Sequence, residues 1–210
     1  LRGVAAIYPN YIQIVAAADS GIKTLADLKG KRIAVGAPKS GTELNARDIF
    51  RGAGMSYKDF GKVEYLPFGE SVELMKNRQL DATLISAGLG VAAVRDLASA
   101  VPIVIIPIPA DVVAKIGEAA YQAGSIPADT YKGQSTAVPT VAVQNFLVTH
   151  EGVPAETVYV MTKSMFDNID QMTAAHAAAK AINKGTAATG MPVPLHPGAE
   201  KYYREAGLIK

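Results

Sequence analysis

Residues Arg32 to Gly52 read RIAVGAPKSGTELNARDIFRG, and this stretch decides the fold. Ile33, Ala34 and Val35 form a short apolar run with β-branched members, which predicts a buried strand over Arg32–Gly36. A loop follows, Ala37-Pro38-Lys39-Ser40-Gly41-Thr42. From Glu43 to Gly52 apolar residues recur at Ala46, Ile49, Phe50 and Ala53, offsets of three, four and seven that mark one face of an amphipathic helix. A strand, a short loop and a helix in this order form the building unit of α/β sheets.

The unit repeats in kind downstream. Strand Val63–Pro67, helix Glu70–Asn77, strand Ala82–Ser86, helix Gly90–Ser99 and strand Ile103–Ile106 follow, an alternation that predicts a parallel sheet covered on both faces. Upstream, Tyr11–Ala18 (YIQIVAAA) predicts a strand, and Thr24–Leu28 one helical turn that Gly30 stops. Beyond Pro107 the pattern predicts a helix near Val112–Ala123, a strand at Thr140–Val148, and helices near Glu156–Asn168, Ile169–Lys184 and Gly198–Ala206. Residues 19–107 therefore make one self-sufficient αβ lobe. Residues 1–18 and 108–210 supply fewer strands than their helices need for burial, so they are expected to form a first lobe that lacks its N-terminal part.

Composition bounds the chemistry. At about 100–200 residues per domain, 210 residues allow one or two domains. With 49% hydrophobic and 19% charged residues the chain belongs to the globular class, and its 19 glycines show no collagen period. Lys and Arg total 21 against 19 Asp and Glu, giving +2 with the charges scattered, which argues against a nucleic-acid surface. The absence of cysteine excludes disulfides, thiolate metal sites and cysteine nucleophiles. The most apolar stretch, Val101–Ala114, is broken by Pro102, Pro107, Pro109 and Asp111, well short of the roughly 20 apolar residues of a spanning helix. Leu1-Arg2-Gly3-Val4 is neither an initiator nor a signal peptide, so the chain is expected to be processed or to lack its original N-terminus.

The loop Ser40-Gly41-Thr42 carries the strongest chemical signal. At the start of a helix the first backbone N–H groups lack partners and the dipole is positive, so an anion is favoured there. Ser40 and Thr42 can add hydroxyls, and Asn45 stands one turn above Thr42 on the same face. Helix capping by Ser40 or Thr42 explains the same residues and is compatible with an anion at the remaining amides. A Walker loop needs a lysine where Thr42 stands, and no G-x-G-x-x-G occurs. Glu43, Arg47 and Arg51 read as a solvated stripe with an intrahelical ion pair, although Arg47 can also neutralise a bound carboxylate. A second small-residue loop, Ser86-Ala87-Gly88-Leu89-Gly90, again joins strand to helix, where ligands of open α/β sheets gather. Tyr8-Pro9 and Phe68-Gly69 place an aromatic beside a change of chain direction. His150, His176 and His196 are not spaced as metal ligands, and neither a catalytic constellation nor a cofactor motif appears.

The chain resembles the TAXI family, the solute-binding proteins of TRAP transporters. The resemblance rests on Ala6-Ile7-Tyr8-Pro9 with YIQIVA, on Ile22–Val35 (IKTLADLKGKRIAV) followed by Ser40-Gly41-Thr42-Glu43, on Lys76–Ala82 (KNRQLDA), and on Pro194-Leu195-His196-Pro197-Gly198-Ala199 with Tyr202–Gly207 (YYREAG). Two departures are visible: the family's glycine-rich N-terminal part is absent, and Arg78 stands where the family often has glycine at a helix end. The resemblance implies a type II periplasmic-binding-protein fold, α/β with two lobes of mixed or parallel sheets, crossing between lobes near Ala16–Ser20 and Ile106–Ala110. It further implies a periplasmic, non-enzymatic protein, made with a signal peptide in its precursor and using no metal or cofactor. Such a protein captures a small organic anion of the glutamate, glutamine or 2-oxoglutarate class and delivers it to the membrane subunits of a TRAP permease. Ser40, Gly41 and Thr42 would hold a carboxylate, Asn45 would assist, Ala87 and Gly88 would approach from the neighbouring loop, and Tyr8 would contribute from the opposite lobe. An enzyme acting on a small carboxylate in the same architecture, and the sensor lobe of a regulator, are the alternatives.

Overall fold

In the computed structural model, which describes residues 1–210, the chain begins on a 16-residue strand, β1 (Arg2–Ala17). There follow β2 (Arg32–Ala34), α1 (Gly41–Gly52), β3 (Lys62–Glu64), α2 (Phe68–Lys76), β4 (Ala82–Ala87), α3 (Ala92–Ala100) and β5 (Ile103–Ile106). Then come α4 (Ala110–Ile116), β6 (Tyr121–Ile126), β7 (Val138–Thr149), α5 (Ala155–Asp167), α6 (Ile169–Ala175) and α7 (Pro197–Glu205). Contacts divide the residues into an αβ unit, Asn10–Val143, and a second unit, Leu1–Pro9 with Gln144–Lys210.

In the αβ unit β2 pairs in parallel with β3 and β4, Ile33 lying opposite Val63 and Ala82. The later part of β1 is antiparallel to β4, from Tyr11 opposite Ala87 to Ala16 opposite Ala82, and antiparallel to β5, from Ile14 opposite Ile106 to Ala17 opposite Ile103. The order is thus β3-β2-β4-β1-β5: four strands run one way and a reversed strand is inserted among them. β7 and β6 extend the sheet from β1, paired antiparallel to each other. The sheet is therefore mixed, where the alternation within residues 19–107 predicts parallel strands. The inserted strand comes from outside that alternation.

Both faces are covered. Ile14, Ile33 and Leu84 point into one cluster with Ala46, Ile49 and Phe50 of α1, while their neighbours Val15, Ala34 and Ile85 pack with Val72 and Met75 of α2 and Val94 and Leu97 of α3. That alternation along each strand is the two-residue period of a pleated sheet. Burying a Leu, Ile or Phe side chain stabilises by roughly 1.5–3 kcal/mol, so these two layers fix the position of every loop at the sheet's end.

The sequence leads one to expect lobes of 1–18 with 108–210 and of 19–107; contacts group Asn10–Val143 together, and Ile12, Ile14 and Ala16 share one core with Val112, Val113, Ile116, Tyr121 and Val141. Two further expectations, both of helix extent, differ from the structure. The helix expected at Val112–Ala123 stops at Ile116, where Gly117 takes φ 74°, and Tyr121–Ile126 is a strand. The helix expected at Ile169–Lys184 breaks at His176, which is extended (φ −149°, ψ 122°), and continues as a 3-10 turn over Ala177–Ala181.

The second unit packs α5 and α7 on the first residues of β1. Val4, Val158, Phe166, Tyr202 and Tyr203 form its core, and the Tyr203 hydroxyl donates to the Val4 carbonyl at 2.8 Å. Asn145 of β7 donates to the Tyr8 carbonyl at 2.9 Å. No helix is long and apolar enough to cross a membrane.

Candidate functional site

The site is built where β2 ends. Gly36 has φ 97°, and a Cβ placed there would lie 2.7 Å from the Thr42 methyl, so the turn requires glycine. Ser40 then enters α1 with extended backbone (φ −84°, ψ 159°) and caps it: its Oγ accepts from Glu43 N at 3.2 Å and its carbonyl from Leu44 N at 3.2 Å. Capping uses these two amides. The Gly41 and Thr42 amides, the other donors of the first turn, have no partner within the αβ unit. Gly41 is exposed, and Thr42 is buried against Gly36.

Glu43 turns to the other flank of α1. It is 3% exposed, accepts from Arg47 Nε, and accepts from the Tyr57 hydroxyl at 3.2 Å. The Arg47 guanidinium lies 5.5 Å from the Tyr57 ring centroid, and Arg51 pairs with Asp48 at 2.9 Å and Glu118 at 3.2 Å. Burial, together with the Glu43 carboxylate, pushes the Tyr57 phenol well above its ordinary range. The stripe expected from sequence is present as ion pairs, but its carboxylate member is buried rather than solvated.

Asn45 joins α1 to the end of β4. Its Nδ2 donates to Ser86 Oγ at 3.0 Å, and its Oδ1 lies 3.1 Å from the Tyr121 hydroxyl, which donates to Asp48 at 2.6 Å. Burial and the Asp48 carboxylate raise the Tyr121 phenol far above its usual range. Immediately beyond Ser86 come Ala87 and Gly88. Ser40, Gly41, Thr42, Asn45, Ala87 and Gly88 are thus gathered at the carboxyl ends of β2 and β4. At that point the connection from β2 leads to β3 on one side while β4 lies on the other, the position at which open α/β sheets bind ligands. Tyr8 belongs to the second unit, where its ring stacks on His176 with centroids 6.3 Å apart and planes 11° apart.

Sequence reasoning passed over Gln13, Tyr121 and Tyr131. Gln13 is fully buried in β1, bonded to the Ala87–Gly88 backbone and to Tyr131, which is itself 3% exposed. The available signal was the lone polar residue in YIQIVAAA, because a buried carboxamide must find partners. The tyrosines gave no local signal, since their partners lie far away in the chain. No group of three or more His, Cys, Asp or Glu residues is placed to hold a metal ion. Chemically, the site offers main-chain donors, Gly41 N and Thr42 N, with hydroxyl and carboxamide neighbours, groups able to donate hydrogen bonds to an acceptor.

A family model described as NMT1-like matches residues 1–207. A protein assigned as an L-cystine ABC transporter from Listeria monocytogenes is similar with a TM-score of 0.50 at 14% identity, over 87% of this chain and 65% of that one. The periplasmic aliphatic sulphonate binding protein SsuA from Escherichia coli gives 0.44 at 15% identity, over 84% and 52%. An ancestral arginine-binding protein bound to arginine gives 0.44 at 18%, over 85% and 64%. The chain spans less than two thirds of the length of each of these structures. The first likeness shows the fold, and the mixed α/β sheet matches the periplasmic-binding-protein class that the sequence leads one to expect.

Proposed function

The chain belongs to the NMT1-like family, and from that premise we propose that it is a non-enzymatic solute-binding protein of the periplasm. In this reading it captures a small organic anion and passes it to a membrane transporter. The TAXI-like motifs favour a TRAP permease as the recipient and glutamate, glutamine or 2-oxoglutarate as the ligand class.

One observation carries the anion. The Gly41 and Thr42 amides at the first turn of α1 are without partners in the αβ unit, at the end of the sheet where the connections from β2 and β4 diverge. Amides in that position, backed by the helix dipole, accept a carboxylate without a cationic side chain. Ser40 holds the loop, Thr42 contributes its hydroxyl and Asn45 aligns α1 with β4.

Thr42→Asp tests this by placing a like charge beside those amides. Calorimetric titration with glutamate and with 2-oxoglutarate is expected to show affinity lowered by about a hundredfold or more, with an unchanged circular dichroism spectrum. Thr42→Ser, which keeps the hydroxyl, should stay close to the parent. Equal affinity in Thr42→Asp and parent overturns the assignment.

A further inference from the structure

Gln13 has no exposed surface, and both ends of its carboxamide are engaged with the loop that follows β4 or with the residue bracing it. Nε2 donates to the Ala87 carbonyl at 3.1 Å and reaches the Gly88 carbonyl at 3.5 Å. Oε1 accepts from the Tyr131 hydroxyl, and that hydroxyl in turn accepts from the Gly90 amide at 3.0 Å. Tyr131 is fixed by Gln134: its amide donates to Gln134 Oε1 at 3.3 Å, while Gln134 Nε2 donates to Pro127 O at 2.9 Å and Thr136 O at 2.8 Å.

These bonds set the direction of peptide planes. In a trans peptide the C=O and N–H point to opposite sides, and the chain has no cis bond. Drawing the Ala87 and Gly88 carbonyls toward Gln13 therefore turns the Gly88 and Leu89 amides away from it. The third amide, Gly90, is taken inward by Tyr131. The Gly88 and Leu89 amides, Gly88 buried and Leu89 half-buried, are left without a hydrogen-bond partner just past the end of β4, and the Asn45–Ser86 bond holds that end against α1.

We propose that Gln13 and Tyr131 are positioning residues that aim the Gly88 and Leu89 amides at the anion held by the first turn of α1. The ligand's acidic group then meets two pairs of main-chain N–H groups, Gly41 with Thr42 and Gly88 with Leu89. Such a cage takes a group that only accepts hydrogen bonds, and it disfavours the corresponding amide, whose own N–H groups would face donors. The inference rests on the anion-binding reading above and deepens it.

The test is a titration of the 15N-labelled 210-residue chain with 2-oxoglutarate and with glutamate, followed amide by amide. In the parent, the Gly41, Thr42, Gly88 and Leu89 resonances are expected to move along one binding curve. Tyr131→Phe is expected to weaken that curve about tenfold, and to reduce the Gly88 and Leu89 shifts at saturation while Gly41 and Thr42 keep theirs. A purely structural role for Tyr131 would lower stability and leave the pattern of shifts unaltered. If Gly41 and Thr42 respond in the parent while Gly88 and Leu89 stay still, this inference falls and the anion site stands. If none of the four responds to either probe, both fall. The parent pattern decides the matter even where Tyr131→Phe does not fold.

Discussion

Arg47 donates from Nε to the Glu43 carboxylate one helical turn earlier on α1, and the pair is lopsided: the Glu43 side chain is 5% exposed and that of Arg47 60%. A buried carboxylate depends on its cation far more than a solvated guanidinium depends on the carboxylate. The Tyr57 hydroxyl supplies the second donor at 3.2 Å. Glu43 thus already occupies one flank of the helix start with negative charge, and Arg47 is committed to neutralising it.

Arg47→Gln should therefore lower thermal stability more than it lowers anion affinity. The affinity for glutamate or 2-oxoglutarate is expected to change by less than about threefold, against the hundredfold expected of Thr42→Asp. Adding Glu43→Gln should recover part of the lost stability by removing the uncompensated charge, and Tyr57→Phe alone should cost about 1 kcal/mol. Calorimetry and thermal unfolding on the four variants check this. An affinity loss in Arg47→Gln as large as that of Thr42→Asp would move Arg47 into contact with the ligand.

Asp81 ties the start of β4 to the start of β2. Its carboxylate accepts from Arg32 N at 2.8 Å, Arg32 Nε at 3.1 Å and Arg32 Nη2 at 2.7 Å. The Arg32 guanidinium, followed by the Arg32 backbone amide, holds the Asp81 carboxyl below its ordinary value against an opposing effect of burial. The native state thus binds its proton at lower pH than the unfolded chain does. The stability Asp81 contributes is complete above the unfolded value near 3.9 and is lost as pH falls through the folded one. Asp81→Asn should be less stable by about 1 kcal/mol at neutral pH, a figure reduced because solvent reaches the pair. The gap to the parent should shrink in acid and close below the folded value. Urea midpoints measured across that range would contradict the argument if the gap were constant.

The alternation from β2 to β5 was legible because each helix carries its own apolar face, as Ala46, Ile49 and Phe50 do, and because Ser40 and Gly36 mark the turn between them. Pairing was not legible in the same way. The reversed course of β1 between β4 and β5 depends on partners that its own pattern YIQIVAAA does not name, and the apolar positions of Tyr121–Ile126 read equally well as the end of a helix. The Ser40–Thr42 loop and the Ala87–Gly88 loop stood out through local composition. Their support did not, because the Gln13–Tyr131 bond spans 118 residues and only the folded sheet brings the two together. Burial of Glu43 was hidden too, since spacing of four residues describes a solvated stripe and a half-buried one alike. Arg78, by contrast, stands at φ 58° just past α2, the left-handed helix end at which the resembled family often has glycine.

Gly198 offers the last test, of the second unit. It lies in the first turn of α7, after Pro197, and its amide donates to His196 Nδ1 at 3.2 Å. A Cβ added there would stand 2.0 Å from the Ala155 carbonyl oxygen and 2.7 Å from the Tyr159 amide nitrogen of α5. Both obstacles are backbone, so neither can rotate aside, and α7 would have to lift from α5 and disturb Phe166, Tyr202 and Tyr203. Replacing a helical glycine by alanine ordinarily gains about 0.5–1 kcal/mol. Here the clash reverses the sign, and Gly198→Ala is expected to cost about 2 kcal/mol net, or roughly 4–8 °C in melting temperature for a chain of this size. Gly69→Ala on α2, where nothing lies within 4 Å of the added methyl, supplies the contrast and should be neutral or stabilising. Differential scanning calorimetry separates the two, and a Gly198→Ala protein as stable as its parent would mean that α5 and α7 do not approach at this point.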